Sequence, residues 1–125
     1  MLFVEIECRV SVDFVLVLDV SGSTIETHLL SRNFAANVIY GLNVESGAAR
    51  VGVVAYSSTV VGQTYLGDHV GDREAVVNAL RLYSPGRGAT NTAAALDAVR
   101  TQQLIAGRGA RTAVHKVSRA NSFQQ

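Results

Sequence analysis

"FVLVLDVSGST", residues 14–24, decides the fold. It begins inside a nearly continuous apolar run, "DFVLVL" at 13–18, rich in β-branched residues. Such a run suits a strand buried on both faces, as in a parallel sheet with helices on either side. The run then delivers Asp19, Ser21, Ser23 and Thr24, all hard oxygen donors, where a turn of Gly, Asn or Pro would be ordinary. In open α/β sheets ligands gather at the carboxyl ends of strands, where the strand order reverses. Asp19 is the first residue past the run, and Gly22 lets the backbone curl tightly after it. One carboxylate and two hydroxyls converging from one turn make a suitable shell for a small hard cation. Magnesium takes about six oxygens, keeps several waters and often uses only one or two protein carboxylates. The competing reading is helix capping, since Ser, Thr and Asp are the preferred N-caps.

Outward from this stretch, the apolar period changes to that of a helix from Thr24 to about Leu42, with Ile25, Leu29, Phe34, Val38 and Leu42 as the expected inner face. "RVGVVAYSS" at 50–58 reads as a second strand, and "VVGQTYLG" at 60–67 follows too closely for a crossover, so an antiparallel hairpin is expected. Asp72 should cap a short helix, "REAVVNALRLY". After the turn-rich loop "SPGRGATNT", 84–92, a third helix is expected from about Asn91 to Gly107. "GARTAVHKV" should then lead into a buried strand, but "SRANSFQQ", polar and unpatterned, follows instead. The order describes an α/β fold, a Rossmann-like doubly wound, mostly parallel sheet with one antiparallel edge strand, its C-terminal half missing. Without a further neighbour, "DFVLVLD" would become an exposed apolar edge.

Composition narrows the function. At 125 residues there is one domain at most, and 17% charged residues suit a folded protein. Eleven basic and ten acidic residues leave a net charge of +1, which gives no electrostatic footprint for nucleic acid or an anionic membrane. Arg100, Arg108, Arg111, Lys116 and Arg119 do gather late, where a loop rim or frayed tail accounts for them as well as a phosphate-binding face does. No apolar run approaches the roughly 20 residues of a membrane span. "MLFVEIECRV" does not read as a signal peptide. Cys8 is the only cysteine, so it is either a buried small hydrophobe or the partner of a cysteine outside the chain. His28, His69 and His115 lack ligand spacing and read as surface or partly packed side chains.

The D-x-S-x-S of Asp19, Ser21 and Ser23 after a buried strand, with "GATNTAAAL" opening a later helix, resembles the von Willebrand factor type A domain. The resemblance covers residues 12–117, leaving 1–11 as an N-terminal extension and 118–125 as a polar tail outside the family pattern. It implies a metal-ion-dependent adhesion site built by Asp19, Ser21, Ser23 and Thr90, the last matching the threonine of the family's second loop. It also implies magnesium, with manganese or calcium as substitutes, and a protein ligand of the matrix or cell surface whose carboxylate completes the shell. The setting implied is extracellular or secreted within a longer protein, with a cytoplasmic one also found in the family. The role implied is that of a binding module, with no enzyme activity, nucleic acid or membrane insertion expected. The family's third motif, a "TDG"-like aspartate after the next strand, has no counterpart, because no aspartate follows Asp97. That gap implies a weakened metal shell and a chain truncated before the motif.

Two rivals belong to other classes. A haloacid-dehalogenase-like phosphohydrolase would use Asp19 as nucleophile, but Ser21 stands where its second carboxylate is needed. "DVSGST" is not the G-x-S-x-G elbow of a serine hydrolase, and "SPGRGATNT" lacks the G-K-[ST] ending of a P-loop. Arg87 in that loop either lines the metal face or solvates the loop, the second being the favoured reading. The other rival is a fragment without independent function.

Overall fold

Two-sided burial of the first strand organises the molecule, whose computed structural model describes residues 11–21, 25–83 and 90–121. Strand β1 (Val12–Asp19) lies between two parallel neighbours, β2 (Ala49–Tyr56) and β4 (His115–Asn121). Strand β3 (Val60–Thr64) pairs antiparallel with β2, giving the order β3-β2-β1-β4. Because side chains alternate across a strand, even-numbered Phe14, Leu16 and Leu18 enter one core with Ala35, Ile39, Val76 and Leu80. Odd-numbered Val15 and Val17 enter a second core with Val54, Tyr56, Leu66, Ala95 and Ala98. This is why the run is apolar without a break.

Helix α1 (Ile25–Tyr40) and helix α2 (Arg73–Ala79), extended by a 3-10 turn at Leu80–Leu82, serve the first core. Helix α3 (Thr92–Ala98) serves the second. Asp72 caps α2 as expected, its Oδ1 accepting the Ala75 N–H at 3.0 Å.

Three expectations are corrected. The most deeply buried stripe of α1 is Thr27, Ser31, Ala35 and Ile39; of the expected face, Val38 and Leu42 pack part-buried against the first core, Leu29 is 49% exposed, and the Ile25 side chain lies outside the described ones. Small side chains at 27, 31 and 35 fill the buried stripe, while Leu29 and Leu30 turn outward. The third helix is α-helical only to Ala98 and then widens into a π-turn over Val99–Gln103, where the Leu104 N–H donates to Val99 O at 2.9 Å. That turn delivers Gln103 into the interior, fully buried, with its amide reaching Thr64 O at 3.0 Å and Gln63 Oε1 at 3.1 Å.

The third correction concerns the edge of β1. β4 continues through Ser118 and Arg119 to Asn121 and pairs with β1 from Val12↔His115 to Leu18↔Asn121. Pairing uses backbone groups, so a polar sequence can form an edge strand whose side chains face solvent. Of His115–Arg119 only Val117 is half-buried. The strand is clamped at its foot by Asp13, whose carboxylate is fully buried. Arg111 Nε donates to Asp13 Oδ1 at 2.9 Å, and the Arg111 backbone N–H and Lys116 Nζ donate to Oδ2, each at 2.7 Å. Arg111 also donates to the Val12, Gly47 and Ala48 carbonyls. Four of the five late basic residues therefore have separate structural duties, and Arg119 is exposed on β4. Arg108 stacks over the Tyr65 ring at 4.1 Å, and Arg100 pairs with Asp97.

Candidate metal site

The carboxyl end of β1 places Asp19 beside Tyr56, its register partner at the end of β2. Odd numbering puts Asp19 on the same side of the sheet as Val15 and Val17, the side covered by α3. The carboxylate is 2% exposed. A buried carboxylate requires polar partners, and the following turn supplies them. The Ser21 backbone N–H donates to Asp19 Oδ1 at 2.8 Å, and the Ser21 hydroxyl donates to the same oxygen.

Two consecutive carbonyls at the end of β2 hold both loops. Val20 N–H donates to Tyr56 O at 2.8 Å, and Asn91 N–H donates to Ser57 O at 2.7 Å. The Tyr56 hydroxyl also lies 3.3 Å from Thr92 Oγ1. Suspended in this way, Thr90 Oγ1 comes within 2.8 Å of Ser21 Oγ. Asn91 takes the capping role for α3, its Oδ1 accepting the Ala94 N–H at 3.0 Å. Thr90 therefore does not cap α3.

Of the four expected site residues, Asp19, Ser21 and Thr90 converge through these contacts, and Ser23 lies outside the described residues. Cys8 and Arg87 lie outside them too. Three oxygen side chains with one formal charge fit a hard divalent cation that retains waters. They do not form a cluster of three His, Cys, Asp or Glu, and none occurs among the described residues. β4 ends with Asn121 level with Leu18, so its described part brings no carboxylate to the height of Asp19. Tyr56 and Ser57 were not anticipated as site organisers; their only sequence signal is the polar "YSS" closing the second strand. His28 is buried on α1, His69 is half-buried and His115 is exposed.

Integrin alpha-1 of Gallus gallus is 32% identical over 111 residues, which cover 89% of this chain and 39% of that protein. The chain thus spans well under half of that relative. Among solved structures, proximal thread matrix protein 1 of the mussel byssus superimposes with a TM-score of 0.80 at 21% identity, over 90% of this chain and 30% of that one. A form of the same protein described as having a zinc-occupied MIDAS motif gives 0.77 at 17% identity, over 93% and 33%. At those identities the structural likeness concerns the fold. Family membership rests on sequence, which matches the von Willebrand factor type A domain over residues 13–118. The chain belongs to the von Willebrand factor type A domain family.

Proposed function

We propose that this domain is a cation-dependent protein-binding module. Asp19, Ser21 and Thr90, with Ser23 from the same motif, hold a divalent cation directly or through water, magnesium being the expected ion. The observation that carries this reading is the meeting of two oxygen-bearing loops at the buried Asp19 carboxylate. The zinc-occupied motif described for the byssus protein and the kinship with an integrin chain support it. When bound, such an ion supplies a positive centre with open coordination for an anionic oxygen. A carboxylate of a protein ligand is the partner proposed, in an extracellular setting.

The residues themselves divide the work. Asp19 contributes the charge, and Ser21 N–H orients it. Thr90 contributes an oxygen from the opposite loop, tied in place through Asn91 and Ser57. Hard-ion affinity rises with ligand charge, and among the described residues of the site Asp19 is the one carboxylate. No helix of the described residues is long and apolar enough to cross a membrane. The family segment is proposed to occupy residues 12–117, with flanking extensions on each side. Calorimetric titration with magnesium and manganese tests the site: heat is expected from the chain and none from Asp19→Ala. Equal heats from both would refute it.

A further inference from the structure

Away from the cation site, α1 on one side and α2 with its 3-10 turn on the other flank a cleft of about 330 Å³. Leu29, Arg32, Asn33 and Ala36 form one wall, spaced along one face of α1. Val77, Leu80 and Arg81 form the other. The floor is apolar: Leu80 is 2% exposed, and Ala36 and Val77 are half-buried. The rim is cationic, and no acidic residue lines the cleft.

Arg32 is already oriented, because one of its amino groups donates to Tyr83 O at 2.8 Å. A guanidinium has five donors, so this anchor leaves others for a ligand. Arg81 forms no ion pair among the described residues. Leu29 on the rim is itself 49% exposed, and the 3-10 turn that carries Arg81 also exposes Leu82. An apolar floor between two guanidiniums selects a ligand that is apolar at its centre and anionic at its flanks. Both walls are helices, whose backbone groups are satisfied internally, so no strand edge is offered for an extended peptide. A third helix can lay its side-chain ridge into such a cleft.

We propose that this cleft docks an acidic amphipathic helix of a partner protein, seating an apolar side chain over Ala36, Val77 and Leu80 with carboxylates against Arg32 and Arg81. The surface is independent of the cation site and does not require it.

Fluorescence anisotropy of two labelled helical peptides tests this, using the full chain. One carries leucines along a single stripe flanked by glutamates, and the other has every glutamate replaced by lysine. The glutamate peptide is expected to bind, more weakly as salt rises, and unchanged by EDTA. Arg81→Glu, at an exposed position, should weaken it about tenfold, the equivalent of one charge-assisted contact. Leu29→Glu should weaken it similarly, and the Arg81→Glu chain should gain affinity for the lysine peptide. Circular dichroism confirms that both variants fold. Equal binding of the two peptides, or no effect of either substitution, would overturn the proposal. So would sedimentation showing that the cleft is closed by self-association, or binding to phosphatidylserine vesicles with no binding to the glutamate peptide.

Discussion

Ser21 and Thr90, 69 residues apart in sequence, bring their hydroxyl oxygens within 2.8 Å of each other. Each is held by backbone, Ser21 through Val20 on Tyr56 O and Thr90 through Asn91 on Ser57 O. Thr90→Val keeps the shape and deletes the oxygen. Manganese affinity is expected to fall about tenfold, the scale of one contact to a charged group, with little change in thermal stability because Thr90 is exposed. Thr90→Ser should restore most of the affinity. Calorimetry of the three proteins checks this, and equal affinity for Val and Ser would remove Thr90 from the shell.

Asp13 gives the fold a specific acid sensitivity. Burial alone would raise its carboxyl, but the hydrogen bonds from Lys116 and Arg111 outweigh that and hold it below the usual carboxylate range. A group depressed in the folded state contributes stability above its unfolded pKa, about 3.9 for Asp, and loses it as pH falls through the folded value. Asp13→Asn should cost about 3 kcal/mol at neutral pH, the lower end for breaking a buried pair, because Arg111 and Lys116 are partly solvated. The gap between the two proteins should close below about pH 4. Urea denaturation across that range measures it, and a gap independent of pH would contradict the assignment.

Gly52 is held to glycine by Gln103. A Cβ there would stand 2.3 Å from Gln103 Oε1 and 3.2 Å from Thr64 O. Gly52→Ala should destabilise by about 1–3 kcal/mol through overpacking. Combining it with Gln103→Ala should cost less than the sum of the single changes. Strict additivity in chemical denaturation would show that the two sites do not meet.

Gly109 presents a harder case, because its obstacle is backbone. It has φ +102°, and a Cβ would fall 2.3 Å from Gly67 N. Neither the conformation nor the neighbour can yield cheaply. Gly109→Ala should therefore cost at least about 2 kcal/mol and loosen the loop that carries Arg111. Hydrogen exchange should then rise in β4 as well as at Gly67. Exchange confined to Gly67 would separate the loop from the strand.

The legible parts of this fold were those where one side-chain property dominates. The two-sided strand β1, the hairpin and the Asp72 cap follow directly from apolar runs and turn chemistry. The stripe of α1 was hidden because Thr27 and Ser31 are buried while Leu29 and Leu30 are not. β4 was hidden because its pairing is a property of the backbone, to which its polar sequence gives no clue. Asp13 looked like the start of an apolar run, and nothing local connects it to Arg111, 98 residues away. At the site, the oxygen donors Asp19 and Ser21 were legible in the turn after β1, whereas Thr90 entered only through the family resemblance. The suspension of both loops from Tyr56 and Ser57 was not legible, since a carbonyl carries no sequence signature.

Both faces of β1 are apolar, so hydrophobic burial alone would tolerate sliding the strand by one position. The two carboxylates at its ends would not. Asp13 and Asp19 are both odd-numbered, and a slip by one residue would carry each to the opposite face of the sheet. Asp13 would leave Arg111 and Lys116, and Asp19 would leave the α3 side that presents Thr90. The strand is thus indexed at its two ends by charge, and the alignment that satisfies the foot of the sheet also sets Asp19 on the side of Thr90.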